Sequence, residues 1–156
     1  MLLPRLMQHL RTAAPNITLV VRRADLWQLP QLLVAGDISL EIGPVQELPA
    51  SAHCRCLRPV QPMLLRADSV SGLISLDEFC RRPHVTVTAQ GQTTYGVDSA
   101  LAHQGRQRRV VLAVPQVSAL PALLAGSDML AVVPDYVAQE MARVEGLRAE
   151  YAPLPL

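Results

Sequence analysis

Residues 83–134, PHVTVTAQGQTTYGVDSALAHQGRQRRVVLAVPQVSALPALLAGSDMLAVVP, decide the fold class. They read as strand, polar loop, helix, strand, helix, strand. His84–Thr88 alternates around Val85 and Val87. Asp98 is placed to cap a helix through Ala102, and Gly105 stops it. Arg109–Val114 is rich in branched residues; Pro115 ends that strand and opens a second helix, which Gly126 closes. A third apolar strand, Met129–Val133, terminates at Pro134. Strands alternating with helices need crossover connections, so the expected architecture is α/β with mainly parallel sheets. Ligands of such sheets sit beyond the carboxyl ends of the strands. The loop 88–94 occupies one of those ends, and it carries hydroxyls, amides and a glycine. Those groups hold a small molecule; none of them is an acid, a base or a thiol.

The flanking residues extend the same pattern. Leu3, Leu6, Met7, Leu10 and Ala14 recur at helical spacing, and Pro15 ends that helix. Ile17–Val21 follows as an expected strand. Asp25–Ala35 is a second helix whose start Pro30 delays to Leu29, and Gly36 stops it. Ile38–Ile42 is a further expected strand, broken by Gly43-Pro44. Cys54–Leu65 is extended and crossed by Pro59 and Pro62, which suits an edge or connecting strand. Ser75, with Glu78 three residues on, caps a short helix. Asp135–Glu145 is an amphipathic helix closed by Gly146, and Leu147–Tyr151 starts one more strand. The expected organisation is a first lobe over residues 1–67, a second over 68–146, and a closing segment 147–156 that returns to the first.

Composition excludes several chemistries. All fourteen basic residues are arginine, so Schiff-base formation, a phosphate-loop lysine and lysine-activated serines are absent. The net charge of +1 does not suit a nucleic-acid surface. Half the residues are apolar, enough for a folded core built from Leu, Val and Ala. The three cysteines Cys54, Cys56 and Cys80 point to a reducing, cytoplasmic setting. Arg5 and Arg11 interrupt the first apolar segment, so it is not read as a signal peptide, and no apolar run is long enough to span a membrane.

Each candidate site has an ordinary structural role as its alternative. Thr88, Gln90, Gly91, Gln92, Thr93 and Thr94 form a candidate cradle for an anion or carboxylate, or simply a strand-to-helix loop. Gly43 and Pro44 would face that loop across a cleft, with Gln116 and Val117 on its rim; otherwise they are a turn and the first residues of a helix. His53, Cys54, Cys56, Cys80 and His84 lack the knuckle spacing of a zinc site, so no metal is expected. Arg81, Arg82, Arg106, Arg108 and Arg109 have no aromatic residue among them and read as solvated helix ends. No Gly-x-Ser-x-Gly elbow, His-Glu-x-x-His pair or Gly-rich phosphate loop occurs, so no catalytic residue is assigned.

Several segments carry a family resemblance. PHVTVTAQG, VDSALAHQGRQRRVVLAVP and LLAGSDMLAVVP resemble successive parts of the effector-binding domain of LysR-type transcriptional regulators. Upstream, LLPRLMQHLRTAAPNITLVV and LLVAGDISLEIG resemble its first helix, second strand and the segment before its cleft. The resemblance implies two lobes similar to type II periplasmic binding proteins, with an incomplete first lobe and truncation at both ends. It implies a small-molecule effector, often an organic acid and here of the aromatic-responsive branch, bound between the lobes by the eight residues Gly43, Pro44, Thr88, Gln90, Gly91, Thr93, Gln116 and Val117. It also implies a homodimer or homotetramer, DNA contact only through a helix-turn-helix domain absent from this chain, no cofactor and no enzymatic activity. Where the family has an acidic residue and then alanine before Ile-Gly, this chain has Ser39 and Glu41; a buried Glu41 would need Arg22 or Arg66 as partner. The alternatives are a free-standing solute-binding protein of the same plan, an enzyme on that scaffold, and a fragment without independent function.

Overall fold

The structure, a computed structural model, describes residues 2–22, 28–43, 49–69, 71–88, 96–144 and 146–154. The chain divides into two compact units, Leu2–Pro59 and Val60–Leu156. The contacts thus divide it at 59/60, upstream of the expected residue 67.

In the first unit the helices are α1 (Leu2–Ala13) and α2 (Leu29–Ala35). Helix α2 starts where Pro30 permits, because a proline is tolerated only in a first turn. It ends at Gly36, whose φ of 74° lets the chain turn back while the Asp37 N–H donates to the Leu32 carbonyl at 3.0 Å. The strands expected at Ile17–Val21 and Ile38–Ile42 do not form: both segments are described, and neither pairs in a ladder.

In the second unit the elements are β1 (Pro62–Ala67), α3 (Leu76–Arg81), β2 (Pro83–Val87), α4 (Gly96–Ala102) and β3 (Arg109–Val114). A 3₁₀ turn (Val117–Ala119), α5 (Leu120–Leu124), β4 (Leu130–Pro134), α6 (Asp135–Met141) and β5 (Leu147–Tyr151) follow. The five strands make one sheet in the order β3-β2-β4-β1-β5. The pairs β2–β3 and β2–β4 are parallel, but β1 runs antiparallel to both β4 and β5. The sheet is therefore mixed, where mainly parallel pairing was expected. Only the βαβ crossovers around α4 and α5 enforce parallel pairing; no such crossover constrains β1 or β5. The closing segment, expected to return to residues 1–67, pairs with Met63–Ala67 of β1, which the contacts group with the second unit. Strand β1, expected as an edge or connecting strand, is flanked on both sides; Pro62 is tolerated because it stands first in the strand.

Both sheet faces are covered, so the strands read as continuous apolar runs. Leu65, Val85, Ala131 and Val133 pack with Leu120, Leu124 and Ala138 under α5 and α6. Their alternating neighbours Leu64 and Leu130 pack with Phe79, Val97 and Leu101 under α3 and α4. One buried ion pair crosses the β1–β5 edge. Arg66 donates to Glu150 Oε2 at 2.9 Å, and Glu150 Oε1 accepts the Ile74 N–H at 3.0 Å. The Arg66 side chain is 0% exposed, and Glu150 is its carboxylate partner within the second unit. Among the described residues no helix is long and apolar enough to cross a membrane.

Candidate functional site

The parallel pair β2–β3 brings two strand ends together. Val87 pairs with Val114, and the Thr88 N–H continues the ladder to the Val114 carbonyl at 2.8 Å. Pro115 then takes the chain out of the sheet, so Gln116 and Val117 leave β3 at the end where Thr88 leaves β2. Thr88 is buried, Val117 half-buried against the α5 side of the core, and Gln116 exposed. Gln116 Oε1 accepts from the Ser118 hydroxyl at 3.4 Å.

Next to this end, against β2, lies a cavity of about 180 Å³ lined by Thr86, Val87, Val97, Arg108 and Val132. Thr86 and Val132 come from β2 and β4, and Val97 from the first turn of α4. Arg108 precedes β3 and is held by a fork: Nε donates to Asp98 Oδ1 at 2.9 Å and Nη2 to Oδ2 at 2.8 Å. Helix α4 starts at Gly96, so Asp98, expected to cap it, lies inside its first turn and faces Arg108 instead.

His84, on the same face of β2 as Thr86, is fully buried edge-on against Phe79, with ring centroids 4.5 Å apart. Its Nε2 lies 2.7 Å from the Phe79 carbonyl, which can only accept, so Nε2 carries the proton. Nδ1 is buried with no partner among the described residues. Burial pushes the imidazole pKa down from 6.5 to about 4, because a cation there would lose its hydration; the Phe79 carbonyl opposes the shift and Arg108 adds to it. His84 is a neutral core residue at neutral pH.

The expected site residues therefore fall into three groups. Thr88, Gln116 and Val117 share one end of the sheet. Gly43 belongs to the first unit, where a Cβ on it would stand 3.1 Å from the Glu41 carboxylate. Pro44, Gln90, Gly91, Gln92, Thr93 and Thr94 lie outside the described residues. Cys54 and Cys56 are exposed and Cys80 is half-buried, all as free thiols; no group of three His, Cys, Asp or Glu side chains converges among the described residues.

Of the five arginines expected at solvated helix ends, Arg81 and Arg109 are exposed, whereas the other three are partnered within the chain. Arg108 pairs with Asp98, Arg106 with Asp77, and Arg82 with Glu78 and the Asp128 carbonyl. None of the five cavity residues was among the eight expected from sequence, and Arg108 is the charged one among them. Its signal was present: an acid in the first turn of a helix and a base just before the following parallel strand.

Comparison with known proteins agrees with this architecture. The family description matching residues 1–156 is the LysR substrate binding domain. The HTH-type transcriptional activator NahR of Pseudomonas putida is 31% identical over 157 residues, covering 99% of this chain and 52% of NahR. The HTH-type transcriptional activator NagR of a Ralstonia species is 31% identical over 85% of this chain and 45% of its own length. The chain thus spans about half the length of these curated relatives. Among solved structures, the regulatory domain of MexT, a transcriptional activator in Pseudomonas aeruginosa, is 48% identical with a TM-score of 0.87, covering 98% of this chain and 77% of that one.

Proposed function

This chain belongs to the LysR substrate binding domain family, and on that premise we propose that it senses a small organic effector for a transcriptional regulator. Its mixed α/β architecture with one sheet matches LysR regulatory domains, whose fold is like that of type II periplasmic binding proteins. The relatives are transcriptional regulators, not enzymes. The observation that carries the proposal is the shared strand end in the second unit. Thr88 and Gln116–Val117 emerge side by side from parallel strands, next to a cavity whose only polar linings among the described residues are a hydroxyl and an already paired guanidinium. Such a surface can bind a ligand, and none of its described linings is a carboxylate, an imidazole or a thiol.

Binding regulates only if the ligand prefers one of two arrangements of the protein, and the shift cannot exceed that difference in affinity. In the proposed protein, DNA is contacted by a helix-turn-helix of the kind named in the relatives, the regulator works as a homo-oligomer, and its setting is cytoplasmic. The test is a thermal-shift screen of the full chain against small aromatic acids and their uncharged counterparts, salicylate included. At least one compound is expected to raise Tm saturably, and Gln116→Trp is expected to abolish that rise without altering the circular dichroism. Flat curves across the panel contradict the proposal.

A further inference from the structure

The cavity beside β2 constrains the chemical class of the ligand, an inference that rests on the effector-sensing function proposed above. Three valines, Val87, Val97 and Val132, form apolar walls; among the described residues the Thr86 hydroxyl and the Arg108 guanidinium are the polar linings. Taken alone, a buried arginine in a ligand cavity suggests a carboxylate as guest. Here its charge is already spent. The Arg108 side chain is 2% exposed, and both arms of its fork are occupied by Asp98 at 2.8 and 2.9 Å. A bidentate pair of this kind is geometrically fixed and carries no net charge.

A carboxylate entering the cavity would give up its hydration and meet no uncompensated positive side chain among the described linings. It would also stand close to the Asp98 carboxylate, and like charges sharing a poorly solvated site repel. An uncharged oxygen acceptor loses far less on leaving water. It can accept from the Thr86 hydroxyl or from Nη1, the guanidinium nitrogen that takes no part in the Asp98 fork. We propose that this cavity selects a small, uncharged, ring-sized molecule bearing a hydrogen-bond-accepting oxygen, such as an aromatic amide or phenol, over the corresponding carboxylate. This departs from the organic acid that the resemblance implied. Asp98 is the specificity-determining residue, acting through Arg108.

Matched pairs test the idea: benzamide with benzoate, and salicylamide with salicylate, titrated into the full chain at pH 7 by calorimetry. The uncharged member of each pair is expected to bind about tenfold more tightly or better. Asp98→Asn keeps the shape and removes the charge, leaving Arg108 uncompensated, and is expected to reverse the order in favour of the carboxylates. A wild-type chain that binds the carboxylates as tightly as the amides, or more tightly, overturns the inference and leaves effector sensing standing. Failure of all four compounds and of the wider panel overturns both. The wild-type comparison is decisive by itself, whether or not Asp98→Asn folds.

Discussion

The two units take the same kind of apolar segment to opposite ends. In Val60–Leu156, runs such as Leu64–Leu65 and Leu130–Val133 sit in a ladder between two helical layers and are buried or nearly so. In Leu2–Pro59, Ile17–Val21 and Ile38–Ile42 are just as rich in branched residues, yet they pair with nothing described, and Val20 is 74% and Leu40 71% exposed. Among the described residues of the first unit only Leu29 is buried. The difference teaches that strand propensity is a preference for a pleated, half-buried surface, realised only when a neighbouring strand supplies ladder bonds and cross-strand contacts.

The strongest way to sharpen this contrast is to unbalance the buried charge that closes the second unit. Arg66→Met leaves Glu150 with the longer contact to the partly exposed Arg148 at 3.6 Å and is expected to cost up to about 3–5 kcal/mol in chemical denaturation; a cost below about 1 kcal/mol would mean that water or Arg148 compensates the carboxylate. Next comes a matched pair of truncations. Leu124→Ala removes a fully buried side chain and is expected to cost about 2–5 kcal/mol, whereas Leu40→Ala is expected to stay within about 0.5 kcal/mol. Equal losses would break the comparison, because Leu40 would then be buried in solution.

The third effect depends on pH and belongs to the second unit alone. His84 has a folded pKa of about 4 against 6.5 for a free imidazole, so below pH 6.5 the unfolded chain binds the extra proton. Stability is complete above about pH 6.5 and declines as pH falls toward 4, by at most about 3 kcal/mol from this group. His84→Gln is expected to flatten that part of the profile. An unchanged slope would assign the titration to another group.

Local punctuation made much of the second unit legible. Pro83, Pro115 and Pro134 bound strands β2, β3 and β4 to within a residue or two, and Ser75 caps α3 through the Glu78 N–H as the Ser-x-x-Glu spacing predicts. The shared end of Thr88 and Gln116–Val117 followed from the same markers. What stayed hidden is non-local. Arg66 and Glu150 are 84 residues apart, and nothing near either one announces the other. The direction of β1 depends on how the chain enters the sheet, which its own residues do not encode. Arg108 looked like a solvated helix end because its partner lies across a turn. The strands expected in the first unit failed for the complementary reason: alternation specifies a face, and it cannot supply the neighbour.

The most direct test of a small molecule held at the strand ends of β2 and β3 is an amide nuclear magnetic resonance titration. The ligand is whichever panel compound raises Tm most. Saturable shifts are expected at Thr88, Val97, Gln116 and Val117, and the compound should be recovered chemically unchanged. Shifts confined to α1 or α6, or turnover of the compound, would contradict the proposed site.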